Sequence, residues 1–358
     1  MSEPSPGLPS SLSSVAAYPW SRLRSAQYDA LYVSPHMDDA VYSCGGQIAL
    51  SRASGQRVLI VTVFGHGESA EHEPGVFRDY TQRKREEEAA MAALDVDHVW
   101  LNYADLLVRP KPLSTLVRYA LPFVTFPPSP LRDRLEATLY ALCTRLLAAD
   151  GQLYVPLAVG AHPDHRLVFD AVRAMASRAR AWRELFYEDV PYAQVPAVRA
   201  DRLHYLGLSR PRSLAAALLA VRETRAFLFA HAPAWQRPAL TLVVGAHWAL
   251  SRLFFRLFGS RDAIADERKL SERVIDEVID QKVSAMRAYG TQTAYFYPDG
   301  DALYDTLVRS QGHYVERYWE LIEPTARTVV KAQPDLPLEE ELARVDQLLS
   351  ELSVAQDA

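Results

Sequence analysis

The stretch Ala30-Leu31-Tyr32-Val33-Ser34-Pro35-His36-Met37-Asp38-Asp39 runs from an apolar segment straight into a histidine and two adjacent carboxylates. The apolar part has the length and composition of a short buried strand. A matching passage stands far downstream, where Leu153-Tyr154-Val155-Pro156-Leu157 leads to His162-Pro163-Asp164-His165. Pro163 is suited to the first position of a helix. Two short strings rich in His and Asp, each at the exit of a buried strand, form the pattern of a metal site built from two strand ends.

Outward from these strings the chain alternates. Apolar strands are expected at 30–34, 58–64, 98–103, 152–159 and 184–187, and helices at 39–53, 81–94, 131–149 and 163–178. Such alternation predicts an α/β fold with a mostly parallel sheet and helices on both faces. Ligands of such sheets bind beyond the carboxyl ends of the strands, where both strings fall. Residues 1–25, rich in Ser and Pro, read as a flexible tail, 26–200 as the α/β core, and 205–265 as an apolar helical insertion. Residues 266–358 read as C-terminal helices completing the domain, with helical patterns at 269–289, 301–321 and 339–352. The Pro-rich segment 106–130 reads as a loop insertion.

Within 209–261, residues 240–250 carry no formal charge, and Arg252 and Arg256 follow. A membrane span wants about 20 apolar residues, and this run is shorter. The expectation is a cap packed on the core, with an interfacial helix docking on a membrane as the sharper alternative.

The 358 residues are 49% hydrophobic with a net charge of -5, enough to bury a core. No basic run offers a nucleic-acid footprint. Arg83-Lys84-Arg85 is followed at once by Glu86-Glu87-Glu88, a charged helix face. Two cysteines, Cys44 and Cys143, exclude a disulfide framework and a Cys-rich zinc site. A metal here must be held by His and carboxylate. The N-terminal residues have neither a basic start nor an apolar core of a secretory signal, so a cytoplasmic location is expected, with peripheral membrane contact through 209–261 as an added option.

His36 and Asp39 stand three apart and so face one side. Asp38 and Asp39 are adjacent and point differently, so one ligates and the other is left to act as a base. His162 and His165 divide in the same way. Two His and one Asp leave a tetrahedral zinc with an open position, the composition of a catalytic site, and they suit Fe(II) as well. Water bound there becomes acidic enough to attack a carbonyl. A nearby carboxylate takes its proton, and a spare His stabilises an oxyanion or protonates a leaving amine. Either string alone has a structural reading, since Asp is favourable near a helix N-terminus; the two at corresponding strand ends point to function.

The sequence resembles the PIG-L/LmbE-like family of zinc-dependent N-acetylglucosaminyl deacetylases, whose motifs are His-Pro-Asp-Asp-Glu and His-x-Asp-His. This chain has His36-Met37-Asp38-Asp39-Ala40 and His162-Pro163-Asp164-His165. The resemblance implies a Rossmann-like core over about 30–189, with zinc held by His36, Asp39 and His165. It implies Asp38 as general base, His162 as oxyanion partner and acid, and Asp164 as a supporting partner. Arg83 and Glu86 resemble the family's early helix, and Lys282, Ala285, Tyr289 and Gln292 its C-terminal pattern. Met37 and Ala40 depart from the first motif, and Gly160 stands where some relatives have Tyr. The implied reaction is hydrolysis of the acetamide of an N-acetylated amino sugar or glycoconjugate, releasing acetate. The alternatives are amide hydrolysis of a thiol-sugar conjugate, or carbohydrate binding on an inactive scaffold. His66, Arg83 and Asp105 are candidate substrate contacts, and Glu188, at the end of the fifth strand, a candidate partner to a ligand.

Overall fold

The computed structural model describes residues 27–66, 79–106, 108–109, 129–175, 178, 182–209, 238, 242, 267–297 and 303–322. In chain order the elements are β1 (Tyr28–Ser34), α1 (Asp39–Ala53), β2 (Val58–Thr62), α2 (Tyr80–Leu94), β3 (Asp97–Trp100), α3 (Pro130–Leu146), β4 (Leu147–Pro156) and α4 (Pro163–Ala174). They continue with β5 (Arg183–Tyr187), α5 (Pro196–Tyr205), β6 (Glu267–Val274), α6 (Ile279–Ala288), α7 (Gly290–Phe296), α8 (Leu303–Thr306), β7 (Arg309–Ser310) and β8 (His313–Ile322).

The sheet runs β3-β2-β1-β4-β5-β8-β6. Its first five strands are parallel, and β8 and β6 add in antiparallel sense. The chain first fills the sheet outward on one side of β1, then returns to place β4 on the other. Strand order therefore reverses between β1 and β4. Connections leaving the two carboxyl ends diverge at such a point and open a crevice.

Alternate side chains of the central strands feed two cores. Leu31, Val33, Leu59, Val61, Leu153 and Val155 pack with Leu135, Leu139, Val168 and Val172 of α3 and α4. Tyr32, Ile60 and Tyr154 pack with Val41, Ile48, Met91 and Val283 of α1, α2 and α6. Burial on both faces is why these strands read as unbroken apolar runs rather than alternating ones.

The C-terminal part departs from expectation. Helix was expected over 269–289 and 301–321, yet β6 occupies the start of the first range and β8 the end of the second, with α6 between. β8 buries residues toward both cores, Trp319 and Leu321 on one side and Tyr318 on the other. A strand buried on both faces loses its period of two, and its apolar residues fall at helix-like intervals. The Gln311-Gly312 turn between β7 and β8 has positive φ at both positions, 52° and 90°, with Ser310 paired to His313. That is the two-residue turn whose twist suits a hairpin.

β8 is also tied to α1. Glu316 is buried and accepts from the backbone N–H groups of Gly46 and Gln47, each at 2.8 Å, from Lys282 Nζ at 2.6 Å and from Tyr318 Oη at 2.8 Å. A Cβ at Gly46 would stand 2.6 Å from Ile275 Cγ2, and one at Gly45 3.1 Å from Lys282 Cγ. The glycine pair therefore makes room for the C-terminal segment. The tail 1–25, the helix at 339–352, and almost all of the insertions at 106–130 and 209–261 lie outside the described residues. No described helix is long and apolar enough to cross a membrane.

Candidate metal centre

Both strings meet at the β1/β4 crevice. His36 follows β1, Asp38 precedes α1 and Asp39 begins it. Asp39 Oδ2 accepts from the His36 backbone N–H at 2.8 Å and lies 3.2 Å from both His36 Nδ1 and His165 Nε2. The imidazole rings of His36, His162 and His165 stand 4.9–5.3 Å apart, centre to centre. Ligating atoms of these three histidines come within 4.8 Å of one another, as do those of His36, Asp105 and Asp164. The donors the resemblance implies, His36, Asp39 and His165, are thus brought together, with His162 close by.

Asp38 has φ 151°, a conformation rare outside glycine that clusters at functional sites. Its carboxylate makes no hydrogen bond among the described residues. Burial, and then the Asp39 charge, push it up to about 8, against the pull of Arg83, His36 and His165. Burial also works against the charge of Asp39, but His165 and His36 hold its carboxyl far below the usual range. His162 is pushed down to about 3 by burial and by the neighbouring His36. Its Nδ1 accepts from the Asp164 N–H at 3.3 Å. The neutral ring therefore carries its proton on Nε2.

Asp164 is fully buried, 3.1 Å from His36 Nε2, and accepts from the Leu106 N–H at 3.1 Å and from Arg109. Burial opposes its charge, but the His36 hydrogen bond and nearby cations hold it at about 2. Asp105 Oδ2 lies 3.8 Å from His36 Nε2 and 3.9 Å from Arg83 Nη1. His66 sits on the same edge, its backbone bridged to Ala104, but its side chain is exposed and touches none of the cluster among the described residues.

Two contributors escaped the sequence reading. Asp189 Oδ1 lies 2.6 Å from His165 Nδ1, and its Oδ2 accepts from the Val159 N–H at 2.7 Å. Burial opposes the charge of His165, but Asp39 and Asp189 together raise it to about 9. The expected partner, Glu188, turns away instead and accepts from Arg199 and Trp319. Arg109, in the segment expected to be a loop, pairs with Asp164 and lies 5.0 Å over the Phe64 ring.

Asp38, Asp39, Asp105, Asp164 and Asp189 thus surround three imidazoles, with Arg83 and Arg109 beside them. The carboxylates raise the affinity of His36 and His165 for protons, and a divalent cation bound among these donors would take the place of those protons. The mixed nitrogen and oxygen donors suit zinc or Fe(II).

Residues 31–176 match the family described as PIG-L: GlcNAc-PI de-N-acetylase. A 2'-N-acetylparomamine deacetylase of Streptomyces fradiae is 34% identical over 183 residues, covering 48% of this chain and 61% of that protein. The chain thus spans about three fifths of the length of this curated relative. The zinc inhibited form of teicoplanin deacetylase Orf2 superposes with a TM-score of 0.52 at 19% identity, covering 83% of this chain and 99% of that one. The A40926 pseudoaglycone deacetylase Dbv21 gives 0.50 at 20%, with 83% and 98% covered. At these identities the structural likeness is one of fold. The matched residues hold both His/Asp strings and the crevice between β1 and β4, and over that stretch the chain is similar to the PIG-L family.

Proposed function

We propose that the protein hydrolyses the acetamide of an N-acetylated amino sugar, of N-acetylglucosamine type, or of a glycoconjugate of one. A zinc ion, or Fe(II), would be held by His36, Asp39 and His165. The observation that carries this reading is the position of Asp39 Oδ2, 3.2 Å from each of the two imidazoles that flank the crevice. The similarity to a protein described as a 2'-N-acetylparomamine deacetylase supports an acetylated amino sugar as the substrate class.

When bound, the ion supplies Lewis acidity at the acetyl carbonyl and acidifies water. Asp38 takes the proton of the attacking water; its carboxylate makes no hydrogen bond among the described residues, and burial raises its affinity for a proton. His162, neutral with its proton on Nε2, donates to the developing oxyanion and then passes the proton to the departing amine. Asp164 orders His36, and Asp189 fixes the tautomer of His165 by accepting from Nδ1. Arg83, Asp105 and His66 contact the sugar. The apolar insertion at 209–261 would meet a hydrophobic part of the substrate.

Asp38→Ala is expected to keep its metal and lose about 10²–10⁴-fold in acetate release. An undiminished rate with metal bound would sink the assignment. Chelation should abolish acetate release by the native protein, and added zinc should restore it. A screen over N-acetylglucosamine conjugates reads both outcomes.

A further inference from the structure

Arg83 is almost wholly buried, on α2, a helix far in sequence from both strings. Its Nη1 points toward Asp105 at 3.9 Å, and Asp105 in turn lies 3.8 Å from His36 Nε2. The opposite edge of the guanidinium meets α7. The Gln292 amide is fully buried between Arg83 and Glu86. Only one orientation of that amide suits both neighbours: its oxygen accepts from Arg83 Nε at 2.7 Å, and its nitrogen donates to Glu86 Oε2 at 2.8 Å. The reverse would set oxygen against carboxylate and N–H against N–H.

Glu86 is held in turn. It accepts from the Thr291 N–H at 3.0 Å, from Thr291 Oγ1 at 2.6 Å and from Gln82 Nε2 at 3.2 Å. Glu86, Thr291 and Gln292 thus form one satisfied network joining α2 to α7. A satisfied buried network holds its members in a single arrangement. Arg83, a long side chain with many rotamers, is held at its Nε, and its Nη1 lies on the crevice side, 3.9 Å from Asp105 Oδ2.

We propose that Gln292, backed by Glu86, is a positioning residue that aims the Arg83 guanidinium at the substrate. The proposal rests on the deacetylase reading for its substrate, but the geometry it describes is independent of turnover. A hydroxyl or carbonyl oxygen next to the acetamido group is the chemistry that Arg83 would meet. Gln292 touches neither substrate nor metal and acts through Arg83 alone.

The test joins a spectroscopic and a kinetic measurement. In protein labelled with ¹⁵N-arginine, the Arg83 Nε–H resonance is assigned by its loss in Arg83→Lys. It should be protected from solvent exchange in the native protein, and should exchange at least about tenfold faster in Gln292→Leu, the scale of one lost hydrogen bond. Other arginine Nε–H resonances report whether that variant is folded. In acetate release, Gln292→Leu should raise KM about tenfold with kcat nearly unchanged. Adding it to Arg83→Ala should cost nothing further, because its effect passes through Arg83. An Arg83 Nε–H in the native protein that exchanges as fast as an exposed arginine overturns the proposal, even should Gln292→Leu fail to fold. Additive losses in the double variant overturn it too. If the native protein releases no acetate from any acetylated sugar, the deacetylase reading falls, while the exchange measurement still decides the role of Gln292.

Discussion

Glu188 and Asp189 are adjacent carboxylates at the end of β5, and they face opposite ways. Successive residues of a strand alternate between faces, so a shift of one position exchanges the roles of neighbours. Asp189 reaches His165 and Val159, and Glu188 reaches Arg199 and Trp319. Asp189→Asn keeps the size but offers only one acceptor oxygen to two donors. Metal affinity or activity should fall about 10–100-fold, measured by competitive zinc titration and acetate release. A second residue-scale prediction lies away from the crevice. Glu87 is buried and accepts from Thr62 Oγ1 at 2.6 Å and from Trp100 Nε1. Burial pushes its carboxyl up from 4.5 to about 7. The folded protein then holds a proton that the unfolded chain releases near 4.5. The stability this residue contributes is complete below that pH and is lost as pH rises through about 7. Glu87→Gln cannot ionise. Relative to the native protein it should gain stability between pH 4.5 and 8, by at most about 3 kcal/mol, seen as a growing Tm difference. A difference that stays constant with pH would show that Glu87 titrates normally.

The connection between β4 and α4 carries the second string and concentrates unusual backbone. Ala158, Gly160 and Ala161 have φ of 62°, 85° and 57°, a region that L side chains adopt at a cost. A Cβ at Gly160 would stand 2.6 Å from Tyr192 Cγ. The Tyr192 ring lies edge-on to His165, 6.0 Å between centres. A bulky residue at 160 would need the space that Tyr192 fills here. Gly160→Ala should therefore destabilise by about 1–3 kcal/mol through overpacking, with a further cost from its φ. In a Tyr192→Ala background the penalty should shrink toward the backbone cost alone. Chemical denaturation of the four proteins of that cycle reads the coupling, and an unchanged penalty would show that Tyr192 is not the obstacle.

At the scale of the molecule, the C-terminal strand locks the first helix. Glu316 compensates the Lys282 charge and satisfies two N–H groups of α1, the helix that begins with Asp39. Glu316→Ala would leave a buried ammonium unpaired, a loss of about 3–5 kcal/mol. Urea unfolding should show it as a lower midpoint. Lys282→Met in the same chain should recover part of the loss, because it removes the stranded charge.

The sequence by itself determined the parallel half of the sheet and the two strings at its edge. Strands buried on both faces write themselves as short apolar runs, and His-x-Asp-Asp and His-Pro-Asp-His carry their spacing within a single turn of chain. Local chemistry of that kind needs no distant partner to be read. Tertiary structure alone decided the rest. Whether 313–322 is helix or strand depends on β5 and β6 lying on either side of it. Which of Glu188 and Asp189 serves His165 depends on the register of one strand, and the bracing of Arg83 by Gln292 joins residues more than two hundred positions apart. These contacts are made by packing between elements, and no local pattern in the chain encodes them.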